Sequence, residues 1–78
     1  MSKKLHGQIT EFFVSRGFST VWLGSVSNGS EYVFSVSPSE LAQIDDVRSL
    51  ELDLTKATRR KIWIVGYGDR GPSEVFFD

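Results

Sequence analysis

Apolar residues near the start of the chain fall at Leu5, Ile9, Phe12 and Phe13. The spacing i, i+4, i+7, i+8 is one stripe of a 3.6-residue period, and Ser2 stands ahead of it as a side-chain cap. A helix over residues 3–16 follows from the pattern. Its end is equally marked: Arg16 sits near the negative end of the helix dipole, Gly17 suits the left-handed position beyond the last turn, and Phe18 can fold back on Phe13. Gly7 weakens this helix by ~0.5–1 kcal/mol relative to Ala, which predicts a frayed first turn.

From Thr20 to Ser37 the period changes to two, with Asn28-Gly29 between the apolar runs, a strong two-residue hairpin signal because both residues tolerate positive φ. Counting outward from that turn, Ser27 faces Ser30, Ser25 faces Tyr32, Leu23 faces Phe34 and Val21 faces Val36. The last three pairs form a core face that meets the helix stripe. Trp22, Gly24, Val26, Val33 and Ser35 form the opposite face, which is too apolar for an ordinary solvent face.

Ser37-Pro38-Ser39-Glu40 reads as a capping box with Pro at the first helical position, opening a short helix over 38–44. Beyond it the period is ambiguous. Leu41, Ile44, Val47, Leu50 and Leu54 suit a helix loosely, whereas Leu50, Leu52 and Leu54 alternate with Glu51 and Asp53. A helix would leave Leu52 outside its apolar arc, so the alternation favours a strand over 47–54, with Asp45-Asp46 as the break. Lys61 to Tyr67 is a β-branched and aromatic strand, Asp69-Arg70-Gly71-Pro72 turns the chain, and 73–77 is a last strand.

The sum is one α+β domain over 1–78, of order αββαβββ, with the N-terminal helix packed on a mainly antiparallel five-stranded sheet, either open or curled into a barrel. A helix followed by five short strands resembles Sm-like small barrels in element order, the second helix being a departure.

Composition narrows the chemistry. Nine Lys plus Arg against 10 Asp plus Glu give a net charge of -1, which argues against a surface that is wholly an electrostatic footprint for nucleic acid or anionic lipid. With no Cys among 78 residues there is neither a disulfide nor a thiolate metal site. A core this small supplies only ~3–5 kcal/mol, which makes self-association the remaining source of stability. The first eight residues hold no apolar run of secretory-leader length, and no stretch approaches the roughly 18 apolar residues of a membrane span, so the cytoplasm is the default compartment.

Three motifs reduce to structure. Gly66-Tyr67-Gly68-Asp69-Arg70-Gly71 matches GxGxxG, but the helix and distant acid that dinucleotide binding needs have no room after it. Asn28-Gly29-Ser30 is a glycosylation sequon already explained as a turn. Asp45, Asp46, Glu51 and Asp53 lack calcium-loop spacing and read as a solvated acidic edge. His6, the single imidazole, has no acidic neighbour on its helical face and reads as a solvated side chain. No catalytic residue, metal ligand or cofactor site is nominated.

Two features remain. Residues 40–53 hold five acids and one Arg, whereas 55–68 hold Lys56, Arg59, Arg60 and Lys61 with no acid. Either Glu51 and Asp53 pair with these bases across adjacent strands or from the neighbouring loop, or the bases join Trp63, Tyr67 and Arg70 in a loop that grips single-stranded nucleic acid, or they face an acidic protein partner. The chain also has six Phe, two Trp and two Tyr, more rings than one helix and one sheet face can cover. Trp22, Val33, Trp63, Tyr67, Phe76 and Phe77 therefore form a candidate surface for a protein partner, foremost a second copy. The leading expectation is a non-enzymatic, homodimeric protein-interaction module using an aromatic sheet face or a strand edge. The alternative is a nucleic-acid-binding module, and the third an enzyme with a pocket between helix 3–16 and the sheet.

Overall fold

In the computed structural model, which describes residues 2–27, 31–68 and 74–78, the chain begins with helix α1, Lys3–Ser15. The Ser2 hydroxyl accepts the Leu5 amide at 3.1 Å, satisfying one of the first-turn donors that a helix cannot pair internally. At the other end Gly17 takes φ +90. Its amide bonds the Val14 carbonyl at 3.0 Å while the Phe18 amide reaches Phe13 at 3.2 Å, the reciprocal pair of a Schellman ending. Phe18 packs its ring edge-on to Phe13, 5.4 Å between centroids, as the sequence predicts.

Strands β1, Val21–Ser27, and β2, Glu31–Val36, pair antiparallel with Leu23 opposite Phe34, the predicted register. The pairing then slips by one: Ser25 faces Val33 rather than Tyr32, because Gly24 is an extra residue on β1. A Cβ on Gly24 would stand 3.2 Å from the Val33 carbonyl oxygen and 3.3 Å from Ser35 Oγ, so a bulge this close to the neighbouring strand favours Gly. The Asn28-Gly29 turn lies outside the described residues.

The fold departs most from expectation after β2. Helix α2, Pro38–Leu41, is a single turn without a side-chain cap from Ser37. Glu40, expected to complete a capping box, instead accepts the Ser19 amide at 3.1 Å and hydroxyl at 3.2 Å. The segment predicted as a strand over 47–54 is helix α3, Val47–Thr58. Asp46 Oδ1 caps it by accepting the Ser49 amide at 3.1 Å. Leu50, Leu54 and Thr58 face inward, and Leu52 is the outlier at 53% exposure. The alternation of leucines with acids is thus a coincidence of a helix that leaves one leucine outside.

Strand β3, Lys61–Gly66, then runs parallel to β2, as a crossover through a helix allows. Strand β4, Glu74–Phe77, pairs antiparallel with β1. The result is a four-stranded mixed sheet of order β3-β2-β1-β4, antiparallel in two of its three pairings as expected, but with four strands rather than five and not closed into a barrel. The element order is αββααββ. α1 and α3 cover one face, where Ile9, Phe13, Val21, Phe34, Val36 and Leu54 are fully buried. The extents of 28 × 25 × 19 Å suit one helix layer on one sheet layer. No helix among the described residues is long and apolar enough to cross a membrane.

Candidate functional site

The sheet has two edges and one uncovered face, and helix side chains treat them differently. At the β3 edge, α3 reaches over: Glu51 Oε2 accepts the Ile64 amide at 2.7 Å and Thr55 Oγ1 accepts the Ile62 amide at 3.2 Å. At the β4 edge the exposed His6 bonds the Phe76 carbonyl through Nε2 at 2.9 Å and stacks on the Phe76 ring at 4.2 Å. His6 is therefore an edge ligand as well as the exposed side chain expected. Both ends of the ladder, where an added strand would dock, already have backbone groups engaged.

The face away from the helices is assembled by alternation. Tyr32, Phe34, Val36, Ile62 and Ile64 point into the core, so their neighbours point outward. Register then places Val65, Ser35, Trp22 and Val75 in one row across all four strands, Trp63 beside Val33 in the next, and Lys61 beside Glu31 in a third. Tyr67 closes on Trp22 edge-to-face at 5.3 Å. Trp63 donates its indole N–H to Glu31 Oε1 at 3.2 Å, and Lys61 Nζ stands 5.0 Å from the Trp63 ring centroid. Val65 is 42% and Val75 51% exposed, and among the described residues no helix lies over them.

Four of the six residues nominated from sequence for a protein partner, Trp22, Val33, Trp63 and Tyr67, thus share the open face. The other two do not. Phe76 is buried against Phe34, 5.0 Å between centroids. Phe77 packs against the same core, 6.3 Å from Phe13. The bulge-like shift between Val21 and Trp22 in the β1–β4 pairing breaks strict alternation there, which a count of twos along the sequence cannot anticipate. Val65 and Val75, absent from the nominated set, join the face.

Arg48, Arg59 and Arg60 gather around a groove of about 640 Å³ between α3 and the β3 edge, which Lys61 and Trp63 of the open face also line. Arg48, Glu51, Leu52 and Thr55 line its α3 side, and Arg59 to Trp63 the other. Arg59 is the helix C-cap at φ 58, the one non-glycine residue at positive φ among those described. Arg60 donates through Nη1 to the Thr58 carbonyl at 2.9 Å, while its enclosed Nε has no partner among the described residues. Lys56 is exposed on α3, and Arg70 lies outside the described residues.

No ion pair joins the described residues. The expected cross-strand pairing of Glu51 and Asp53 with the bases is therefore replaced: Glu51 serves the Ile64 amide, and Asp53 is exposed. The sign change along the chain has a different cause. Asp45 and Asp46 stand at the positive end of the α3 dipole, and Lys56, Arg59 and Arg60 at its negative end. The four acids form no common edge, since Asp46 is the cap and Glu51 an acceptor on the sheet, and no cluster of three metal-ligating side chains occurs among the described residues. The interface between α1 and the sheet, the expected place for an enzyme pocket, is filled by Ile9, Phe13 and Phe34 at 0% exposure. Comparison with family models, with curated proteins and with solved structures finds no match for the chain.

Proposed function

We propose that the chain is a non-enzymatic protein-interaction module that associates with a second copy of itself through the open sheet face. The observation that carries this reading is the row Val65, Ser35, Trp22, Val75, with Trp63, Val33 and Tyr67 beside it, on the one face that α1 and α3 leave uncovered. A second copy suits this face because it holds both Glu31 and Lys61. A two-fold arrangement can bring each opposite its counterpart, and two-fold contacts are made once in each direction.

Size fits a reversible dimer. Four strands at ~4.8 Å and six residues at ~3.3 Å give a face of roughly 19 by 20 Å in projection. With side-chain relief, two such faces bury about 1,200 Å², the lower end of a standard interface. The strand-edge mode is disfavoured by the engaged β3 amides and the Phe76 carbonyl. Oligonucleotide binding by Lys56, Arg59, Arg60, Lys61, Trp63 and Tyr67 stands behind it, because the Glu31 and Glu51 carboxylates sit among those rings and cations.

Light scattering over about 1 to 500 μM protein, spanning the range of weak interfaces, tests the reading. The mass should rise from 8.8 kDa toward twice that value. Val65→Lys with Val75→Lys, both at exposed positions, should hold the chain as a monomer with an unchanged circular dichroism spectrum. A constant 8.8 kDa mass, or a dimer indifferent to the double change, overturns it.

A further inference from the structure

The groove between α3 and β3 carries an independent inference, which does not rest on self-association. Its floor is aliphatic and aromatic: Leu52, 53% exposed on a helix that buries its other leucines, lines it together with Trp63, and the core residue Ile62 lies beneath. Its rim is cationic, with Arg48 at one end and Arg59 and Lys61 at the other, and no ion pair joins the described residues. The single carboxylate in the groove, Glu51, accepts the Ile64 amide at 2.7 Å.

Arg59 adds a second observation. It occupies a left-handed helix ending at φ 58, where Gly avoids the strain that an Arg side chain brings. The cap itself uses only the backbone amide, which donates to the Thr55 carbonyl at 2.7 Å. What the residue gains at that position is a guanidinium at the groove mouth.

We infer that the groove binds an extended acidic peptide with a large aliphatic side chain at its centre. Arg48 and Arg59 stand eleven residues apart along the helix and its cap, about 16 Å at ~1.5 Å per residue, the length of about five extended residues. Carboxylates at both ends of such a segment meet the two arginines, and the central side chain meets Leu52. Single-stranded nucleic acid fits less well: the one ring in the groove, Trp63, already has Lys61 Nζ 5.0 Å from its centroid, and the exposed apolar side chain is Leu52, which offers a base no ring to stack on.

The test uses a fluorescein-labelled pentapeptide, leucine flanked on each side by two acidic residues, titrated with the full chain and followed by anisotropy at low and high salt. Saturable binding is expected, weakened about threefold by Arg48→Gln and again by Arg59→Gly, the range of exposed ion pairs. Leu52→Ser should weaken it severalfold, as should serine in place of the central leucine. Arg59→Gly should raise the melting temperature while lowering affinity, which separates loss of the site from loss of the fold. No saturation up to about 1 mM, the practical floor of specific binding, overturns the inference. So does binding indifferent to Leu52→Ser, or a single-stranded oligonucleotide that binds more tightly than the peptide through the same arginines.

Discussion

Replacing Glu51 by alanine removes one acceptor and tests how α3 is joined to the sheet. The carboxylate takes the Ile64 amide at 2.7 Å on the outer edge of β3, and both residues are at least partly screened from water. A hydrogen bond to a charged group contributes ~1.5–3 kcal/mol, and partial access of water to the orphaned amide reduces the loss to about 1–2 kcal/mol. In a domain of this size that is a fall of roughly 4–16 °C in melting temperature. Thr55→Val removes a neutral acceptor from the Ile62 amide at 3.2 Å and should cost about 0.5–1.5 kcal/mol. Asp53→Ala removes an exposed group with no hydrogen bond among the described residues and should stay within ~0.5 kcal/mol. Urea denaturation with a common slope measures the series. If segment 47–54 were a strand, Glu51 and Asp53 would share a face and behave alike. Equal losses for the two, or a Glu51→Ala variant as stable as the parent, would refute the reasoning.

Gly7→Ala should stabilise by about 0.5–1 kcal/mol, read as a higher urea midpoint, because an added Cβ meets nothing within 4 Å and the residue lies inside α1. Gly24→Ala should destabilise by about 1–2 kcal/mol, since its Cβ would press at 3.2 Å on a backbone carbonyl held in the sheet. His6→Ala should cost about 1–2 kcal/mol by losing the Phe76 carbonyl bond at 2.9 Å and the stacked ring, and faster amide exchange in β4 should accompany it. Arg59→Gly should gain about 0.5–1 kcal/mol in thermal unfolding, by relieving positive φ.

The parts of the fold written in adjacent residues were legible in the sequence. The α1 cap, its Schellman ending and the Leu23–Phe34 register each follow from neighbours within a few positions. The part decided by distant partners was not. Leu52 argued against a helix only on the premise that every leucine is buried, and the groove removes that premise. Better signals were present: Asp46 three residues before Ser49, and a charge gradient from Asp45 to Arg60 that matches a helix dipole. Weighing caps and dipole above alternation would have found α3. With α3 in place, the helical crossover makes β3 parallel to β2 and removes the fifth strand. The open face fared better, because period-two patterning alone separates Trp22 and Val33 from Phe34. Phe76 and Phe77 were misassigned because a register shift between β1 and β4 leaves no mark in the β4 sequence itself.

The distribution of helix side chains argues for what the domain leaves available. A four-stranded sheet in a small chain has two edges that can recruit another strand, and here each is met by a polar side chain from a helix: Thr55 and Glu51 at β3, His6 at β4. These contacts also anchor the helices, so removing them for strand addition would cost packing as well as hydrogen bonds. The outer face has no such cover, although a single Lys or Glu at position 65 or 75 would have made it ordinary. Its two charges, Glu31 and Lys61, sit together at one end and flank Trp63 rather than interrupting the apolar row. Among the described residues, each sheet edge thus carries a polar contact from a helix, while Val65 and Val75 stay exposed on the outer face.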